Sequence, residues 1–382
     1  MRRPTRAGTG RLVAILGAFS FFLSAVEYTF PKPLPFVRLG IANLPLLVGI
    51  DLLPLPSLLL LALVKFLGMS LVSGTLFSYV ALFSAAGSLS AALAMWLARK
   101  AGGRVIGPVG VSIAGAMASS AAQLLLARIF IFGPAAWFVA PLLLSTSLAT
   151  GLLLGLFASS FTGSSVWFGR QVTVGAPGPV PVPGEGPPTV ADPGPVAVPP
   201  PSPVTVPRPA SEGRRARAEA WDARFSPLPL ALAGVAASFL LLFIPSLGAR
   251  LVLAPLFAAL AWLSGRKIAL GPALLMTAGI VLAGLVVPVG RVLFTLGPLL
   301  VTETALVEGL SRALAFQGLL YASRAAIRPG LRFPGRLGEL VSLSFLGYQR
   351  ILDSGIKPRP STFVADADRL LLDLEEALPR RG

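Results

Sequence analysis

The chain contains no cysteine and no histidine. The first absence excludes disulfide and thiolate chemistry, and the second removes the commonest metal ligand and the side chain that titrates near neutrality. Any catalysis would rest on carboxylates, lysine, tyrosine and hydroxyls. Charge is scarce as well: 13% of the 382 residues are charged, with 16 acids against 32 bases. No glycine-rich phosphate-cradling loop ending in Gly-Lys-Ser or Gly-Lys-Thr is present, so nucleotide hydrolysis by this chain is not expected. There is no Gly-x-Ser-x-Gly elbow and no cluster of metal ligands. The chain reads as something other than an enzyme, with no cofactor and no metal.

What is abundant is apolar surface. Hydrophobic residues make up 54% of the chain and the mean hydropathy is +0.79, far outside the range of soluble domains. The fold class expected is all-α, a polytopic membrane helical bundle with the lipid bilayer as its solvent. The basic excess lies at the ends of apolar runs, the pattern of membrane topology signals rather than of nucleic-acid binding. Arg2, Arg3, Arg6 and Arg11 place the N-terminus on the cytoplasmic side. The first apolar run continues for about twenty residues with no small-residue cleavage site, which predicts an uncleaved transmembrane helix.

Six apolar segments precede residue 165, at 12–30, 36–53, 56–73, 75–98, 106–132 and 136–160. The second and third are short and interrupted by Pro45, Pro54 and Pro56, as broken or re-entrant helices are where freed backbone lines a cavity. Alternating the spans puts the Arg99-Lys100 loop inside and the uncharged turns near 74 and 133 outside. Lys32 and Arg38 also fall outside, against the trend.

Residues 166–226 change character, with fourteen prolines between 176 and 210. They read as a disordered cytoplasmic linker, reaching roughly 100 Å at ~3.1 Å per residue. The basic run Arg214–Arg224 that ends it suits an anionic leaflet. A second apolar block follows at 228–244, 247–264 and 269–289, then a helix from near Thr302 with Glu308 and Arg312 at i, i+4. By parity Ser264-Gly265-Arg266-Lys267 is cytoplasmic, and Arg250 falls on the wrong side of the same count. Arg324, Arg328, Arg332 and Arg336 mark a cytoplasmic surface. The division expected is thus 1–165, 166–226, 227–350 and a tail at 351–382, whose acidic pairs Asp366/Asp368 and Glu375/Glu376 read as a solvated amphipathic helix.

Charge at membrane depth costs several kcal/mol, so polar groups there face a bundle interior. The candidate site lies between residues 36 and 123. Arg38 offers a planar fork for phosphate or carboxylate and Lys65 a compact charge, while Asn43, Thr75, Ser84 and Gln123 supply hydrogen bonds. Each has a plainer reading: Arg38 as an interfacial anchor, Lys65 snorkelling or paired with Asp51 or Glu27, Asn43 satisfying the backbone freed at Pro45, Gln123 bonding a neighbouring helix. The many Gly, Ala and Ser residues serve close helix packing as well.

Five stretches carry a family resemblance: Arg38–Asn43 (RLGIAN), Leu63–Ser78, Phe83–Ala91, Gly110–Gln123 and Thr150–Ala158. In that order they resemble the bacterial Gx transporter family, also called heptaprenyl diphosphate synthase component I. That family is similar to the S components of energy-coupling-factor transporters. The resemblance implies a six-helix unit in the bacterial cytoplasmic membrane that captures a small hydrophobic or anionic substrate, with ABC-type ATPase subunits supplied by other chains. Where it implies a His-Asn pair, this chain has Ser119 and Ser120. Residues 228–350 more weakly resemble the T component, which implies coupling to the ATPases through cytoplasmic arginines, here Arg324, Arg328 and Arg332. The family's other label implies a different role, a non-catalytic membrane accessory subunit of a polyprenyl diphosphate synthase. An enzyme that ionises an isoprenoid diphosphate needs clustered aspartates holding Mg²⁺ against the leaving group, and the apolar core has none.

Overall fold

The structure is a computed structural model and describes residues 6–29, 40–103, 105–174, 212–286, 290–296, 299–328, 330–331, 333–355 and 362–378. Arg38, Lys32, Arg332 and the prolines at 176–210 lie outside the described residues.

The chain folds as an all-α membrane bundle. Helices α1 (Arg6–Thr29), α3 (Leu55–Ser73), α4 (Tyr79–Gly102), α5 (Pro108–Ala127) and α6 (Ala136–Ser164) form the first half. Among the described residues, four apolar helical segments are long enough to cross a bilayer: Gly8–Glu27, Leu55–Ser73, Tyr79–Gly102 and the unbroken run Pro108–Ser164. The last is far longer than one ~20-residue span. It reverses through a π turn at Arg128–Phe132 and a 3-10 turn at Gly133–Ala135, with Gly133 at φ 57°. Helices α5 and α6 therefore lie antiparallel. Their contact is close because small residues face it: a Cβ at Gly151 would fall 2.9 Å from that of Ala116, and one at Gly155 would fall 2.5 Å from Val109 Cα.

The prolines act differently from one another. The segment around Pro45 is indeed broken: a 3-10 turn at Ile41–Asn43 leads into α2 (Leu44–Gly49), only six residues long. The expected interruption of the third segment is not there. Pro54 and Pro56 sit at the N-cap and first turn of α3, where a missing N–H costs nothing, and α3 runs its full nineteen residues.

In the second half α9 (Pro227–Phe243), α10 (Leu247–Leu263) and α11 (Leu270–Val286) surround α12 (Glu303–Ala326). Thr302 Oγ1 caps α12 by accepting from Ala305 N at 3.3 Å. Just before it stands a hairpin absent from the sequence reading, β1 (Val292–Leu296) paired antiparallel with β2 (Leu299–Thr302). Arg250, on the wrong side of the topology count, donates to Ser311 Oγ at 2.6 Å and so is held by α12. The basic helix α8 (Glu212–Arg224) meets α9 at a 98° bend.

Two further expectations change in the structure. Helix α13 (Gly335–Asp353), grouped by sequence with the second half, packs along α1, with Phe345 4.8 Å from Phe21 between ring centres. The tail helix α14 (Phe363–Ala377) is not simply solvated. It buries Leu370, Leu371 and Leu374, and Asp368 caps α7 (Val166–Val174) by accepting from Trp167 N at 2.9 Å, Val166 N at 3.2 Å and the Ser165 hydroxyl. Residues 166–174, expected as the start of a linker, are therefore an ordered helix with Trp167 fully buried.

The halves meet end to flank. Ser323 Oγ on α12 accepts from Phe77 N at 3.0 Å and donates to Gly74 O at 2.9 Å, and Ser238 Oγ on α9 donates to Phe77 O at 3.0 Å. A Cβ at Gly133 would come within 2.4 Å of Arg312. The α3–α4 and α5–α6 turns are thus spread along α12 from residue 312 to 323, about 16 Å at 1.5 Å per residue. Alternating the spans had placed the turn near 74 and the Arg266 loop on opposite membrane faces, yet Arg266 lies against Gly74. The count fails between the halves, because the first bundle presents its end to the side of α12.

Candidate functional site

The polar residues of the first half converge. A cavity of about 120 Å³ lies between α1, α3, α4, α5, α6 and the 3-10 turn before α2, large enough for several waters or a small organic molecule. Asn43, Lys65, Thr75, Ser84 and Gln123 all line it. Arg38, the sixth expected site residue, lies outside the described residues.

Local chemistry explains each placement. Gly40 adopts φ 72°, which turns the chain into the 3-10 segment and brings Asn43 to the cavity wall. Asn43 occupies the N-cap of α2 but makes no side-chain cap bond; its Oδ1 accepts instead from Lys65 Nζ on α3. Lys65 is only 8% exposed and so is held inside rather than snorkelling to the surface. Asp51, one partner considered for it, pairs elsewhere, with Arg99 at 2.8 Å. Gly74, at φ 67°, closes α3, and the amide of Thr75 returns to Ser70 O at 2.9 Å. That turn leaves Thr75 Oγ1 2.7 Å from Ser73 Oγ on the cavity wall.

Opposite them stands a hydroxyl wall. Ser120 Oγ donates to Ser147 Oγ at 2.9 Å, which donates to Ala116 O at 2.8 Å, and Gln123 Nε2 donates to Ser119 Oγ at 3.3 Å. Gly87 makes room for this pair, since a Cβ there would meet Gln123 Nε2 at 2.4 Å. Sequence reasoning did not select Ser119, Ser120, Thr146, Ser147 and Thr150 as ligand-facing, because hydroxyls also serve helix packing and no periodicity separates the two roles. It noted Glu27 only as a partner for Lys65. Glu27 is 6% exposed, lines the same cavity and makes no ion pair among the described residues. The signal for it was available: an acid inside an otherwise apolar first span.

The expected coupling arginines divide. Arg328 is 5% exposed and spent internally, donating to Asp222 Oδ1 at 2.5 Å, Ser264 O at 2.9 Å and Ala218 O at 3.1 Å. It clamps α8 and the α10–α11 loop to the end of α12 and does not mark a surface. Arg324 is half-buried beside it, and Arg332 lies outside the described residues. Arg266 completes the cluster, donating to Ile327 O at 2.7 Å and Arg324 O at 3.2 Å. Burial, then the neighbouring Arg328 and Arg324 charges, push its guanidinium down to about 10.

The cavity is thus bounded by residues 24–27, 40–43, 65–75, 80–88, 116–123 and 143–150. Residues 16–161 match the heptaprenyl diphosphate synthase component I family. The component I region therefore contains every cavity-lining residue named above, from Glu27 to Thr150. Residues 230–329, from α9 through α12 and its buried arginine, match a domain of unknown function, DUF8519. No curated protein matches the chain, and no solved structure does.

Proposed function

We propose that the chain is a membrane transport protein whose component I region captures a small molecule, as an S component does, and whose second half couples that capture to ATPase subunits supplied by other chains. One observation carries this reading: a polar cavity, walled by charged and hydroxylated side chains of five helices, lies under the α3–α4 turn, and that turn is hydrogen-bonded to α12 through Ser323. Occupancy of the cavity would bear on Ser73 and Thr75, and through Gly74 and Phe77 on α12. The arginines at the end of α12 then hold that motion together with α8. No step of this reading requires the chain to be an enzyme or to bind a cofactor.

The test is recovery of partners. The full chain purified from native membranes should bring down a nucleotide-binding subunit and acquire ATPase activity it lacks alone. Absence of any such subunit sinks the coupling part of the proposal.

The family description favours a second reading, a non-catalytic membrane subunit of a polyprenyl diphosphate synthase. In the same pull-down, recovery of a soluble prenyl synthase bearing paired aspartate motifs would select it. Localisation in a bacterial cytoplasmic membrane belongs to both readings.

A further inference from the structure

We infer that the cavity in the component I region takes a small, hydrophilic, non-aromatic amine, whose ammonium group pairs with Glu27. The inference rests on the reading of this cavity as a substrate site and specifies the chemistry of what enters it.

Glu27 sits on the last turns of α1, 94% removed from solvent and facing the cavity. No described residue pairs with it, and the sequence offers no histidine to do so. A carboxyl group that borders an open cavity and has no partner among the described residues leaves its acceptor positions to whatever enters. The described neighbouring walls supply no donor to it. Lys65 is directed to Asn43, and the hydroxyls of Ser120, Ser147, Thr146 and Thr150 donate to other oxygens. A ligand N–H₃⁺ would supply the missing donors and charge together.

The rest of the lining limits the remainder of the molecule. Among the described residues no Phe, Tyr or Trp borders the cavity, so they offer no platform for stacking a flat ring and none for a quaternary ammonium held by cation–π contact. The few apolar contributions, from Ala42, Met69, Val80, Ala116 and Leu143, are scattered among hydroxyls and give no continuous channel for an isoprenoid tail. A hydrophobic ligand, one of the two classes the sequence suggested, would leave the Glu27 carboxyl facing apolar atoms. A metal ion finds too few ligands, since no group of three acidic side chains exists among the described residues.

The experiment uses the full chain in detergent. Small molecules retained through purification are extracted and analysed by mass spectrometry with and without dansylation. In parallel, thermal shifts are measured with matched probes: serine, ethanolamine and 4-aminobutyrate against glycerate, ethylene glycol and 4-hydroxybutyrate. A dansyl-reactive, non-aromatic compound should be retained by the wild type and depleted at least about tenfold in Glu27→Gln, an isosteric change that removes one charge. An amine probe should stabilise the wild type where its hydroxy counterpart does not, and lose that effect in Glu27→Gln. If Glu27→Gln is not monodisperse, the retained compound from the wild type decides alone. A retained compound that lacks an amine or carries an aromatic ring overturns the inference and leaves substrate capture standing. So does retention unchanged in Glu27→Gln, or a shift reproduced by replacing potassium with sodium. Neither retention nor any shift overturns the substrate site itself.

Discussion

The two halves differ in where their polar groups face. In the second half each cited group inside the bundle reaches neighbouring backbone or side chains, although Arg250 Nε and Gln317 Oε1 are left over: Arg250 bonds Ser311, Gln317 bonds Ala273 O, Arg328 bonds three partners and Arg266 bonds two carbonyls. Even its second cavity, about 250 Å³ beside the α5–α6 turn, holds Glu308 and Arg312 already paired at 3.1 Å. In the component I region, Glu27, Ser70, Ser84 and Ser88 border an open space. Polarity at membrane depth is common to both halves. What marks a site is that polar groups border a void, even where some of them also bond one another.

That comparison is broken most severely at Arg328. Arg328→Met removes three hydrogen bonds and leaves Asp222 and two carbonyls unmatched around a buried methylene chain. The expected cost is about 3 kcal/mol, moderated because Asp222 is 45% exposed and can recover water. Thermal unfolding of the detergent-solubilised variant should show the largest loss of any single change considered, with small-molecule retention in the first half preserved. A variant as stable as wild type would mean the cluster is not structural glue.

Gly155→Val tests the packing on which the cavity wall depends. The new Cβ would sit 2.5 Å from Val109 Cα, and backbone cannot step aside as a side-chain tip can. Forcing α5 and α6 apart should cost about 2 kcal/mol and also reduce retention, since Ser120 and Ser147 bond across the same interface. Loss of stability without loss of retention would separate the wall from the site.

Much of this architecture could be read from the sequence. The apolar runs at 228–244, 247–264 and 269–289 match α9, α10 and α11 to within a few residues, because continuous apolarity longer than fifteen residues leaves little choice but a helix. Five of the six expected site residues border one cavity, because charge and amide groups in lipid have few other places to go. The misreadings have local causes. Pro56 looked like a breaker and proved a helix starter, a difference set by its position in the turn rather than by its identity. Helix α13 carries Arg336, Glu339 and Arg350, which concealed the face, Leu340, Ser344, Phe345 and Gly347, that fits α1. Asp368 looked like a solvated acid because its role as a cap is completed by a helix two hundred residues away. Opposed membrane faces were assigned to residues that touch, because counting spans assumes parallel axes.

Ser323→Ala sharpens the comparison at the junction. Ser323 is fully buried, and its hydroxyl is the link from α12 to both Gly74 O and Phe77 N. Removing it should cost about 1 kcal/mol and leave retention of the small molecule intact. On the transport reading, ligand-dependent ATPase activity of the assembled complex should fall while basal activity stays. If the ligand response is unchanged, coupling does not pass through this turn.

The smallest change in stability should come from Gly87→Ala, and it bears most directly on the distinction between void and glue. The added Cβ would overlap Gln123 Nε2 at 2.4 Å and Ser119 Oγ at 2.8 Å, but both are side-chain ends that can rotate away. Alanine is also the better helix former by about 1 kcal/mol, which offsets the crowding. Unfolding should therefore be nearly unchanged. The displaced amide has only the cavity to enter, so retention of a small molecule should drop several-fold although no charged group has been touched. Were Gln123 merely bonding α5 to its neighbours, the same substitution would lower stability and spare retention, and the opposite ordering of the two readouts distinguishes the cases.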